Sequence, residues 1–170
     1  MITKNWYSYF SSVNANMVIS NAAKTTDGTI VNCGYSLSNA ATALDSLMLH
    51  NTSVIYKITT SGIVLGSGTT PPTINDFRLE SQITSGLHCS VASVYHSEGY
   101  VTRNITATNI SDHEITIAEI GYQCQIYTGE NTTSGSKFVL MDRSLLQTPV
   151  TIPVGGVGVI SYSVRIIMPE

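Results

Sequence analysis

The chain has 170 residues, a net charge of -3 and only 11% charged residues, against about 25% in an ordinary soluble domain. Its length suits one domain whose core needs no metal or disulfide staple, and 42 Ser and Thr residues leave a surface of hydroxyls and amides. Eight scattered Lys and Arg form no basic stripe, which argues against direct nucleic-acid binding.

The first third is irregular. Trp6–Phe10 is aromatic and reads as strand-like. Met17–Ser20 and Thr29–Cys33 are short apolar runs, separated by Thr25-Thr26-Asp27-Gly28 with turn chemistry. Leu37–His50 is the one helix the periodicity predicts, with Leu37, Ala40, Ala41, Leu44, Leu47 and Met48 on one face and Ser36 placed to cap it. Such a stripe covers an open edge of a core.

From Ser53 the rhythm changes to period two. Val54, Tyr56 and Ile58 share one parity, Leu87, Cys89 and Val91 alternate with polar neighbours, and Ile160, Tyr162, Val164, Ile166 and Met168 form the longest alternation. Between Glu114 and Tyr127 the parity switches: Ile115 and Ile117 stand on one phase, Ile120, Tyr122, Cys124 and Ile126 on the other. An extra residue near Ala118-Glu119 produces that switch as a β-bulge. Turn signals at Gly66-Ser67-Gly68, Pro71-Pro72, Ser97-Glu98-Gly99, Asn109–His113, Gly129–Ser136 and Gly155-Gly156 divide the rest into short strands.

Cys33, Cys89 and Cys124 lie among apolar or strand-like neighbours, outside any C-x-x-C motif, and read as reduced, buried small hydrophobes. Met1–Phe10 carries no apolar leader pattern and no stretch reaches about 18 apolar residues, so the expectation is a chain that folds in a cytoplasm and makes no membrane contact. The N-x-S/T triplets at Asn51, Asn104, Asn109 and Asn131 then read as chance in a sequence rich in these residues.

The search for chemistry returns no catalytic, cofactor-binding or metal site. Gly66-Ser67-Gly68-Thr69-Thr70 superficially resembles a phosphate loop, yet no lysine follows the glycines and Pro71-Pro72 replaces a helix start, so it reads as an exposed turn before an extended connection. His88 and Cys89 point to opposite faces of a strand, and His96 and His113 complete no tetrahedral set. No serine sits in a nucleophile elbow. Asp76, Glu80, Glu98, Glu119 and Asp142 are the acids from which a glycosidase pair would be drawn, but each reads as a turn cap or an arginine partner. Glu119, Asp142 and Arg143 interrupt apolar sequence, which calls for a structural ion pair or an intersubunit contact.

Three stretches carry a resemblance: Gly66–Glu80 with Ile83–Leu87; Arg103–Thr106 leading to Ile115–Gly121; and Leu140–Ser144 leading to Pro149–Gly156. Over Gly66–Val164 they resemble small structural proteins of tailed bacteriophages, through turn and strand signatures and not through a catalytic motif. The resemblance implies a virion component, assembled in the bacterial cytoplasm, whose partners are copies of itself and a major capsid, portal or neck protein.

The expectation is therefore an all-β, mainly antiparallel sandwich of jelly-roll or immunoglobulin-like type with at most one short helix. Residues 1–52 form an N-terminal segment and attachment arm, and 53–170 the sandwich, together one domain. The expected function is non-enzymatic: a capsid decoration, vertex or head-to-tail component. The alternative is a carbohydrate- or receptor-binding fibre module, with Trp6 and exposed Tyr95, Tyr100, Tyr122 or Tyr127 as sugar platforms.

Overall fold

Among the described residues the two-residue rhythm resolves into two three-stranded antiparallel sheets. The computed structural model describes residues 1–15, 17–34, 62–97, 100–128 and 136–165. The predicted helix Leu37–His50, the strand beginning at Ser53, Glu98 and the end of the chain beyond Arg165 lie outside the described residues. The described elements are α1 (Lys4–Ala15), β1 (Ile19–Lys24), β2 (Ile30–Cys33), β3 (Gly62–Gly66), β4 (Leu87–Ser97), β5 (Tyr100–Asn109), β6 (Ile115–Tyr127), β7 (Ser136–Ile152) and β8 (Val157–Arg165).

One sheet has the order β3-β6-β7, the other β4-β5-β8, and β1-β2 form a separate hairpin. Ile63 and Leu65 of β3, Ile117, Ile120, Tyr122, Cys124 and Ile126 of β6 and Val139 and Met141 of β7 meet Leu87, Ile105, Ala107, Ile160 and Tyr162 of the other sheet in one buried cluster. The chain is an antiparallel β-sandwich.

The bulge falls where the parity switch placed it. The β6–β7 register shifts between Ile117 and Glu119, so Ile120, Tyr122, Cys124 and Ile126 regain the inner face that Ile115 and Ile117 occupy. Glu119, Gly121 and Gln123 thereby face the outside of the sandwich, where all three are nonetheless buried.

Trp6–Phe10 belongs to α1 and is no strand. Its buried face is Asn5, Tyr9 and Ser12, a spacing of four and three that is helical. Two of those residues are polar, so the aromatic β-propensity dominated the local reading while tertiary contacts set the outcome. The Asn5 side-chain amide donates to the carbonyls of Lys24 at 2.8 Å and Leu140 at 3.1 Å, and its oxygen accepts from the Lys24 N–H at 2.8 Å.

The expected attachment arm folds back on its own domain as far as it is described. Tyr9, Ala23 and Cys33 join the main core, and residues 1–3 with 25–26 cover the free edge of β7. Thr3 N–H donates to the Met141 carbonyl at 2.9 Å, Arg143 N–H to that of Met1 at 3.0 Å, and Thr26 N–H to that of Phe138 at 3.1 Å. An edge strand of 17 residues would otherwise offer a pairing template. The predicted turn closes the β1-β2 hairpin, with Gly28 at φ +94° and the Asp27 carboxylate accepting from the Thr29 N–H at 3.0 Å.

Cys33 and Cys124 are fully buried, and burial pushes the Cys33 thiol up to about 12. Cys89 is only half-buried, packed against the same core. Asn109 is buried as well: its amide donates to the carbonyls of His113 at 2.7 Å and Ile152 at 2.9 Å, tying the ends of β5 and β7 together. That triplet therefore has no accessible acceptor nitrogen.

Candidate functional site

The densest polar cluster lies on the outer face of β6 and β7, under the connection 67–83. Glu119 is on β6 and Arg143 on β7, with Gly121 paired opposite Arg143. The guanidinium Nε donates to Glu119 Oε2 at 2.7 Å, Nη1 to Asp76 Oδ2 at 2.7 Å and Nη2 to the Thr70 carbonyl at 3.1 Å. Glu80 Oε2 stands 3.5 Å from Nη2.

Glu119 is completely buried, and its carboxylate is saturated. Oε1 accepts from the N–H groups of Gly68 at 3.1 Å and Ser81 at 2.7 Å; Oε2 accepts from the Glu80 N–H at 3.1 Å and from Arg143. Four donors fill the roughly four lone-pair directions of a carboxylate, so none remains to take a proton from a substrate.

This changes the reading of Gly66-Ser67-Gly68. The two glycines are buried, not part of an exposed turn. A Cβ on Gly66 would fall 2.5 Å from Glu119 Oε1, and one on Gly68 2.6 Å from the same atom. The loop does cradle an anion, but the anion is the protein's own Glu119. A Gly-x-Gly preceding a connection, together with a lone acid, Glu119, in the apolar run Ile115–Tyr127, was the available signal.

The connection is pinned at further points. Glu80 accepts from the Thr70 N–H at 2.8 Å and its hydroxyl at 2.5 Å, and Asp76 from the Thr73 N–H at 3.0 Å and its hydroxyl at 2.8 Å. Leu79 fills a small second core with Val64 and Leu140. Gly121 leaves the space for it, since a Cβ there would lie 3.0 Å from a Leu79 methyl.

Charges follow from these contacts. Burial raises the Asp76 pKa, but the bonds from Arg143 and Thr73 outweigh it and hold the carboxyl below its ordinary value. Burial likewise lowers that of Arg143, and its bonds to Asp76 and Glu119 more than reverse this. Glu80 is lowered chiefly by the Thr70 hydroxyl and N–H. An open cleft of about 340 Å³ lies beside the cluster, lined by Thr70, Asp76, Phe77, Arg78, Glu80 and Arg143; the charged groups at its floor are spent on one another.

Of the acids that sequence reasoning singled out, the fold brings Asp76, Glu80 and Glu119 together around Arg143. Asp142, adjacent in sequence, points to the opposite side of β7, where its carboxylate accepts from the Tyr162 hydroxyl at 2.8 Å and meets the Met1 ammonium at 3.1 Å. Burial first, then Asp142, raises the Tyr162 pKa well above its ordinary value. His88 is exposed while Cys89 turns toward the core, and the His113 ring meets the neighbouring Asp112 carboxylate at 2.8 Å. Among the described residues no three His, Cys, Asp or Glu side chains are placed to hold a metal ion. Tyr122 is buried on the inner face and offers no sugar platform; the side chains of Tyr95, Tyr100 and Tyr127 lie outside the described set.

The apolar surface is the other feature of note. Tyr7, Phe10, Met17 and Val18 are exposed where α1 leads into β1. Half-buried Trp6 packs between them and the core, stacked on Phe10 with ring centroids 5.1 Å apart and edge-on to Tyr7 at 5.5 Å.

No family model matches the chain, and no curated protein or solved structure matches it.

Proposed function

We propose that the protein is a non-enzymatic structural component of a tailed-bacteriophage virion, a capsid decoration, vertex or head-to-tail protein that works through contacts with copies of itself and with a major capsid, portal or neck protein. The sequence resemblance supplies the setting. The observation that carries the mode of action is the exposed pair Tyr7 and Phe10, with half-buried Trp6 stacked on Phe10, followed in the chain by exposed Met17 and Val18. Exposed apolar surface of this kind marks an interaction site, and aromatic and Met side chains are those enriched where proteins meet. The saturated Glu119–Arg143 cluster supports the non-catalytic half of the reading, because its ionised groups secure a connection and leave no free base.

Mass spectrometry of purified particles tests the proposal: the chain is expected at a stoichiometric copy number, and its absence overturns the reading. The carbohydrate-binding alternative is favoured instead if the purified chain binds a glycan array and Tyr7→Ala or Phe10→Ala abolishes the signal.

A further inference from the structure

We propose that the outer face of the β4-β5-β8 sheet docks against the same face of a second copy of this chain. The inference rests on the assembly reading above and deepens it by naming the surface that joins copies.

The inner parity of β5 and β8 is used up in the sandwich: Ile105, Ala107, Ile160 and Tyr162 are buried. The outer parity is set by the register. His88, Thr108 and Val157 form one row across the three strands, and Ser90, Thr106 and Val159 the next. Farther along, Asn104 pairs with Ser161 and Thr102 with Ser163, each pair hydrogen-bonded at 2.8 Å. No Lys, Arg, Asp or Glu stands in any of these rows.

One corner of the face is apolar. Val157 and Val159 are 61% and 64% exposed, and Ile110 and Val154 reach 68% and 58%. The backbone bonds of Asn109 to Gly155 at 3.0 Å and to Gly156 at 2.9 Å hold the turn carrying Val154 beside the end of β5, next to Ile110. Val157 and Val159 stand on one face of β8, and Val154 and Ile110 lie on the segments joined at that end of the sheet, so exposed aliphatic residues are concentrated here.

Charge complementarity selects the occupant. A two-fold contact sets a patch against its own image, so any charge in it meets or neighbours its like. This face has none. Ser and Thr hydroxyls donate and accept, and Asn does both with one amide, so the face is complementary to itself. A partner of ordinary surface, about a quarter of it charged, would bury charges here without counter-ions, at a cost. Two such sheets stack about 10 Å apart, with the aliphatic corners removed from water.

Sedimentation analysis of the full chain tests this at about 100 µM, where a micromolar association is nearly saturated. The parent is expected to sediment as a dimer or a multiple of one. Val159→Lys and Thr106→Lys each place a cation at the contact twice over, and are expected to raise the dissociation constant by about 100-fold or more; Val159→Thr leaves it nearly unchanged. Both lysines point outward, and thermal melts verify folding; should one variant fail to fold, the other and Ser163→Lys carry the test. A monomeric parent overturns the proposal. So does assembly that survives the folded lysine variants, or that is lost in Phe10→Lys alone, which would move the contact to α1. Self-association is measured apart from particles, so absence from virions would remove the functional reading while leaving this one standing, and a monomeric virion protein would do the reverse.

Discussion

Glu119 and Arg143 stand diagonally across β6 and β7, 2.7 Å apart at Oε2 and Nε, on the face turned away from the sandwich interior. The bulge at Ala118 puts Glu119 there; unbroken alternation from Ile115 and Ile117 would have aimed it into the apolar core. The connection 67–83 then folds over the pair, and buried backbone N–H groups that would lack partners in an irregular segment find them on one carboxylate.

Removing one member strands the other. Glu119→Ala and Arg143→Met are each expected to cost about 3–5 kcal/mol, the usual price of an uncompensated buried charge. The double variant is expected to lose clearly less than the sum of the two. Denaturant titration of the four proteins measures the coupling, and additive losses would show that the pair does not act as a unit.

Gly121→Ala forces its methyl to within 2.7 Å of the Asp142 carbonyl oxygen, and Gly68→Ala to within 2.5 Å of the Glu80 Cβ. Each is expected to cost about 1–3 kcal/mol through overpacking. Gly155 faces open space at φ +70°, so Gly155→Ala carries only the left-handed backbone penalty, about 1 kcal/mol. Thermal melts should rank Gly155→Ala nearest the parent.

Acid should loosen the connection. The folded pKa values of Asp76 and Glu80 lie below their ordinary ones, so near those values the unfolded chain binds more protons than the folded one and stability rises with pH. Their contribution is complete above about pH 4–5, the unfolded range for these carboxyls, and is lost as the pH falls through the lower folded values. Arg143, raised, stays charged throughout. Denaturation midpoints are expected to be flat from pH 7 to 5 and to drop below about 4. Asp76→Asn should start lower at pH 7 and decline less steeply; a parallel profile would exclude Asp76 as a source.

Deleting residues 1–34 removes Tyr9, Ala23 and Cys33 from the core and opens the β7 edge. The truncated chain is expected to aggregate or lose its cooperative melt, both visible by gel filtration and circular dichroism. A folded, soluble monomer would mean that this segment is an accessory arm after all.

Much of the local structure was readable from residue order alone. Alternation marked β4, β6 and β8, the parity switch marked the bulge, and Thr25–Gly28 marked the hairpin turn, because each depends on neighbours within a few residues. What alternation does not contain is the environment of its second face. On β5 and β8 that face holds Thr106 and Val159 and is open; on β6 it holds Glu119 and is sealed by a connection whose N–H donors lie 38 to 51 residues away in sequence. The helix at Lys4–Ala15 was hidden for the same reason: its buried stripe is Asn5, Tyr9 and Ser12, and the Asn5 amide is held by Lys24 and Leu140. Sequence by itself determined a β-sandwich poor in charge with a bulge before Glu119. Only the tertiary structure decided that the Gly-x-Gly loop encloses that acid, because a carboxylate finds its donors by position in space and not by distance along the chain.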